Sequence, residues 1–206
     1  MDILAFETSS PRGSLALWRD GAIVASEEFH SDRAHNSVLF SPLERMLQRT
    51  GELRCIVCGT GPGSYTGIRV GISAAIGVSL AKKAPLIGLA SVLGLNAQRY
   101  AVCGDARRGA WWWAEVQEDS LTMPPAAAPL EETAARAEAW RGAIFTVDGV
   151  TPPFCEAAPA APDARILAAH AAALSDGEIA RLAALAVEPL YLTAPFITQS
   201  KKPVFA

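Results

Sequence analysis

Residues 58–71, Cys58-Gly59-Thr60-Gly61-Pro62-Gly63-Ser64-Tyr65-Thr66-Gly67-Ile68-Arg69-Val70-Gly71, constrain the fold more than any other stretch of the 206-residue chain. An apolar run at 53–57 leads into them, and a small-residue run with apolar positions at helical spacing, 68–81, leads out. Between the two, Gly61, Pro62 and Gly63 let the backbone turn sharply. Strand, glycine turn and helix therefore follow one another. Such a junction gathers unpaired N–H groups at the positive end of a helix dipole, so it either holds an anion or is a tight turn that needs glycine for its geometry.

The remaining composition narrows the class. Half of the residues are hydrophobic and 19% are charged, enough for a substantial core and too apolar for a disordered chain. The net charge of −3, with Lys and Arg not massed in one segment, argues against a protein that grips nucleic acid unaided. The N-terminus, Met1-Asp2-Ile3-Leu4, has no basic stretch leading into an apolar one, and no run approaches the length of a membrane span. The expectation is a cytoplasmic protein with no membrane partner. Cys55 and Cys58 form a C-x2-C, but residues three apart on a strand face opposite ways, so they read as buried thiols rather than metal ligands.

Alternating and helical periodicities predict strands at 3–7, 14–18 and 22–29, and an amphipathic helix at 36–49 with Leu39, Leu43, Met46 and Leu47 on one face and Pro42 bending it. A strand at 53–57, the glycine turn, a helix to about residue 82 and a strand at 85–89 follow. This β-β-β-α-β-α-β order is ribonuclease-H-like, an α/β arrangement on a mixed sheet. Past residue 100 the pattern thins. Strands are expected at 101–103, 111–116 and 143–147, a proline- and alanine-rich linker at 121–129, a helix at 131–141, a proline-rich loop at 151–162 and helical material at 163–186. The division is an N-terminal lobe, 1–99, carrying the glycine turn and two helices, and a reduced C-terminal lobe, 100–206.

Few residues suggest chemistry. His30, His35 and His170 are not spaced as ligand pairs. Glu7, followed by Thr8-Ser9-Ser10, either belongs to a capped turn or orients a water or Mg²⁺. With Thr8, Gly61 and Gly63 it makes a vestigial nucleotide site. Of Trp111-Trp112-Trp113, the first and third share a face opposite the second, which suits core packing better than base stacking. On the second helix Gly67, Gly71, Ala74, Ala75, Val78 and Ser79 form a stripe of small side chains. A mid-helix glycine costs roughly 1 kcal/mol relative to alanine, so Gly71 and Gly77 imply a steric demand.

The segments Ile3-Leu4-Ala5-Phe6-Glu7-Thr8-Ser9, Arg33-Ala34-His35-Asn36-Ser37, the glycine turn, Asp105-Ala106-Arg107-Arg108-Gly109 and Val187-Glu188-Pro189-Leu190-Tyr191-Leu192 together resemble the bacterial TsaB (YeaZ) family. The resemblance implies an actin-like (ASKHA) fold of two ribonuclease-H-like lobes, and a part in making threonylcarbamoyladenosine next to the tRNA anticodon. It further implies a non-catalytic paralogue of the catalytic subunit TsaD, stabilising it and helping to recruit the ATPase TsaE, homodimeric when alone and meeting tRNA only through the complex. TsaD carries an H-x-x-x-H metal pair where this chain reads Ser91-Val92-Leu93-Gly94-Leu95, so neither metal nor catalytic residues carry over. The expected cofactor is none of the chain's own, with ATP or ADP confined to the complex interface and the metal to TsaD. The chain departs from the family at Glu7, often Asp, and at Ala110, often Glu. The partner surface implied by the resemblance comprises Leu39, Leu43 and Met46 on the first helix and Val70, Gly71, Ala74, Ala75 and Val78 on the second. The competing readings are an M22-type metallopeptidase and an ATP-hydrolysing phosphotransferase of the same fold.

Overall fold

The computed structural model describes residues 1–30 and 35–192, with the side chains of residues 35–37 left out. Arg33 and Ala34 of the quoted segment, and the Lys201-Lys202 pair, lie outside the described residues. The first half runs β1 (Asp2–Glu7), β2 (Arg12–Arg19), β3 (Ala22–His30), α1 (His35–Arg49), β4 (Leu53–Gly59), α2 (Tyr65–Lys82) and β5 (Leu86–Leu89). These strands form one sheet in the order β3-β2-β1-β4-β5, antiparallel among the first three and parallel from β1 to β5.

Every residue of β1 is buried, because both faces of the sheet are covered. Leu4 and Phe6 pack with Ile56 and Cys58 of β4 against α1 and α2. Ile3 and Ala5 pack with Cys55 and Val57 on the opposite face. The two cysteines of the C-x2-C thus lie in separate cores as buried free thiols, and burial pushes Cys55 up to about 11.

A 3-10 turn at Ser91–Gly94 leads into β6 (Arg99–Arg107), β7 (Ala110–Gln117), β8 (Ser120–Pro129), α3 (Leu130–Ala139), β9 (Ala143–Thr146), β10 (Ala158–Pro159), α4 (Ala164–Ala173) and α5 (Asp176–Ala183). The second sheet has the order β10-β9-β6-β7-β8. Residues 121–129, expected to be a linker, are instead most of β8. Proline survives there because β8 is an edge strand, and Pro124-Pro125 fall at the register shift where Trp113 pairs Ala126 and Glu115 pairs Met123. The tryptophans all enter the core. Trp111 meets Phe154 edge-on and Trp113 meets Trp140, while Trp112 packs on the other face with Tyr100 and Val102.

The assignment of 100–206 to a separate lobe is corrected in one respect. Helix α4 returns to the first sheet, where Leu167, Ala168 and Ala171 pack on Ile3, Ala5 and Val57. Ser14 Oγ accepts the Ala164 N–H at 2.9 Å, and Arg54 of β4 donates to the Leu174 carbonyl at 2.7 Å and to Asp176. The first sheet is therefore an α/β/α sandwich whose second helical layer comes from the end of the chain.

Candidate functional site

The glycine turn is closed by the protein's own atoms. Gly61 N–H donates to Ser91 Oγ at 2.9 Å, and Ser91 N–H donates back to the Gly61 carbonyl at 2.8 Å. Ser64 N–H donates to the Ser9 carbonyl at 2.6 Å, tying the start of α2 to the end of β1. At the helix start, Ser64 caps the chain by accepting Gly67 N–H through its hydroxyl, while its carbonyl accepts Ile68 N–H. Several glycines exist for close approach. A Cβ on Gly63 would overlap the Ser9 carbonyl, one on Gly59 would overlap the Glu7 carboxyl, and one on Gly71 would overlap Thr8 Oγ1.

Glu7 sits inside this junction, fully buried. Its Oε1 accepts the Ser9 N–H at 2.6 Å, while Oε2, Thr8 Oγ1 and Ser9 Oγ have no close hydrogen-bond partner among the described residues. Burial raises the Glu7 pKa above the ordinary carboxylate range, against the lowering effect of the bonds from Ser9. Gly59, Gly63 and Gly71 have their open sides filled by β1 and its turn. Glu7, Thr8, Gly61 and Gly63 come together as a packed junction between strand and helix. Ser91 is spent on Gly61, and Leu95 is buried in the second lobe's core. Asp105 fastens its hairpin by accepting Arg107 N–H at 2.7 Å while donating its own N–H to Asp148, also at 2.7 Å.

A concave feature of the surface lies on the outer side of α1 and α2. A groove of about 780 Å³ runs between them, floored by Leu43 and Leu47 of α1 and Val70, Ala74 and Val78 of α2. The partner-face expectation is therefore half corrected. Leu43, Val70, Ala74 and Val78 line the groove, whereas Leu39, Met46, Gly71 and Ala75 are buried at 1% exposure or less or, for Gly71, pressed on Thr8. The helical spacing identified an apolar stripe, but α2 is apolar around most of its circumference, so spacing alone does not say which side meets the sheet.

Reading the sequence missed Phe40, 56% exposed, and Tyr65, 55% exposed, which stand at the groove. It also missed Arg69 and Lys82. Phe40, Leu43 and Leu47 are spaced i, i+3, i+7, a signal that was present but was absorbed into the core stripe. Gly77 lines the groove and has nothing within 4 Å of where its Cβ would stand. The segment at 187–192 closes over one end of the site. Leu190 N–H donates to the Thr60 carbonyl at 2.8 Å, and the Tyr191 and Tyr65 rings lie 5.7 Å apart.

A family model described as "TsaD: tRNA N6-adenosine threonylcarbamoyltransferase" matches residues 24–138. The "tRNA threonylcarbamoyladenosine biosynthesis protein TsaB" of Escherichia coli (strain K12) is 34% identical over 131 residues, which cover 58% of this chain and 56% of that protein. The protein of the same description in Bacillus subtilis (strain 168) is 33% identical over 120 residues, covering 53% of this chain and 52% of its own length. The chain thus spans about half the length of the curated relatives it matches. A crystal structure "of an uncharacterized protein with similarity to peptidase YEAZ from Pseudomonas aeruginosa" shares the fold, with a TM-score of 0.71 at 24% identity over 93% of this chain and 99% of that one. Among the described residues no helix is long and apolar enough to cross a membrane.

Proposed function

Since the chain belongs to the TsaB (YeaZ) branch of the family described as TsaD, tRNA N6-adenosine threonylcarbamoyltransferase, we propose that it serves threonylcarbamoyladenosine formation as a non-catalytic subunit. In this reading it docks a TsaD-type transferase through the α1–α2 groove and stabilises it. It helps to recruit a TsaE-type ATPase, and it meets tRNA only within the assembly. The metal and the acyl-transfer chemistry belong to the transferase. The same groove takes a second copy of the chain when the transferase is absent.

The observation that carries the reading is the groove itself. It is apolar, about 780 Å³ in volume, and flanked by exposed Phe40 and Tyr65, and a specific interface needs roughly 800 Å² from each partner. Gly77 supports it, because among the described residues nothing packs beside this mid-helix glycine. The enzyme readings gain no such support. Their candidate machinery is a buried Glu7, a serine whose Oγ accepts the Gly61 N–H and a core leucine.

Ala74→Arg tests the proposal, because Ala74 is half-buried on the groove floor and a long charged side chain there strands its charge against an apolar partner. Ala75 is unsuitable, being fully buried in the core. Co-purification with the transferase should be lost while the variant remains folded by circular dichroism. A folded Ala74→Arg protein that binds with wild-type affinity would place the docking surface elsewhere.

A further inference from the structure

Resting on that docking reading, we propose that Arg69 and Lys82 select what occupies the groove: a partner whose docking helices are apolar in the middle and carry carboxylates at both ends, in preference to a second copy of this chain. The groove is more one-sided in charge than the protein around it. The chain holds 21 acidic residues against 18 Lys and Arg. Yet among the described residues the charged side chains lining the groove are Arg69 and Lys82, with no carboxylate. Glu44 of α1 is exposed, one turn from Phe40, and is not among the residues that line the groove.

The two cations frame the apolar floor. They are 13 positions apart on α2 (82 minus 69), about 20 Å along a helix axis. At about 100° per residue they fall on opposite flanks of the stripe formed by Val70, Ala74 and Gly77. Arg69 is held ready without being neutralised. Its Nη1 donates to Tyr65 Oη at 2.6 Å, its guanidinium carbon lies 4.8 Å from the centroid of the same ring, and Tyr191 packs against that ring in turn. A guanidinium fixed by a neutral phenol keeps its charge and its remaining N–H donors for a planar acceptor such as a carboxylate. Lys82 sits in the last turn of α2, where the helix dipole favours a cation but leaves the ammonium exposed.

In a self-association through the same groove, each copy would bring these two cations and no lining carboxylate. Like charges would then be drawn towards the same interface, a repulsive element that separates the two occupants. A transferase with acidic residues about 20 Å apart at the ends of its docking helices would instead gain attraction.

The test is titration of the full chain with the TsaD-type transferase from the same genome, at about 50 and about 500 mM salt, alongside sedimentation of the chain alone. Wild-type affinity should fall as salt screens the pairs. The double variant Arg69→Glu/Lys82→Glu should bind the transferase at least about tenfold more weakly at low salt, with a salt dependence that is reversed in sign, and should self-associate no more weakly than wild type. Arg69→Lys, which keeps the charge but loses the stacked planar fork, should bind between wild type and the double variant. Both residues are exposed, so melting temperatures should stay at the wild-type value. Unchanged transferase binding by the double variant, or self-association that weakens in parallel, overturns the assignment. Ala74→Arg run beside it separates the two readings. If Ala74→Arg also leaves binding intact the groove is the wrong surface, whereas if only the charge reversal is silent the groove stands and its charge selection falls.

Discussion

Two glycines on one helix should respond in opposite ways to the same substitution. Gly71 faces inward, and a Cβ there would overlap Thr8 Oγ1 and stand 3.3 Å from both Thr8 Cβ and Cγ2. Thr8 is 1% exposed and β-branched, so it cannot swing aside freely. Overpacking costs about 1–3 kcal/mol, and a hard overlap with a buried, β-branched side chain belongs to the upper part of that range, about 2–3 kcal/mol, against about 1 kcal/mol regained from replacing a mid-helix glycine. Gly71→Ala should therefore destabilise the protein by about 1–2 kcal/mol. For a chain of this size that is a fall of about 2–8 °C in melting temperature. Gly77 faces outward into open space, so Gly77→Ala keeps the helix gain alone and should raise the melting temperature by about 2–4 °C. The added methyl group also intrudes on any partner seated in the groove, and transferase affinity should fall about tenfold by the same overpacking cost. Calorimetry on the isolated chain and titration with the transferase read the two effects separately. As an internal check, Gly71→Ala should cost less in a Thr8→Ala background, because the overlapping oxygen is gone. Unchanged melting of Gly71→Ala would refute the Thr8 contact. A stabilised Gly77→Ala protein with undiminished binding would show that nothing packs on the centre of the groove.

Two further outcomes follow from the β1 junction. Glu7 and Asp2 should tilt the pH dependence in opposite directions. The raised Glu7 pKa means the folded state binds more protons, so its contribution is full below pH 4.5, the ordinary value, and is lost as pH rises through the folded value. The Asp2 pKa is lowered, first by the Arg19 hydrogen bonds, so its contribution is present above pH 3.8 and lost as pH falls through the folded value. Urea titrations from pH 3 to 8 should show Glu7→Gln removing a loss of stability toward neutral pH and Asp2→Asn removing a loss toward acid. Equal pH slopes for wild type and both variants would contradict the assigned shifts. Gly63→Ala should destabilise by about 1–3 kcal/mol, since its Cβ would meet the Ser9 carbonyl. An unaltered melting temperature would show that the turn relaxes freely.

Much of the first lobe was legible because its signals are local. Alternation over β1 to β3, the glycine turn, and the i, i+3, i+4 spacing of α1 and α2 follow from backbone geometry and side-chain size, whatever packs against them. The opposite faces of Cys55 and Cys58, and of Trp112 relative to its neighbours, follow from the two-residue period of a strand. What is not local was not legible. Pro124-Pro125 read as a linker because whether a strand lies at an edge is decided by its neighbours in the sheet. The return of α4 to the first sheet depends on contacts such as Ala164 with Ser14, 150 positions apart. For the site, sequence named the two helices and several of the right residues, but α2 is apolar on nearly every side. The packing of Ile68, Ile72 and Ala75 in the core, with Gly71 against Thr8, turned one side of α2 inward, and that left Gly77, Arg69 and Lys82 to face the groove. The amino-acid order determines that these helices form. Which face each of them leaves uncovered is a property of how the sheet and its two helical layers close on one another.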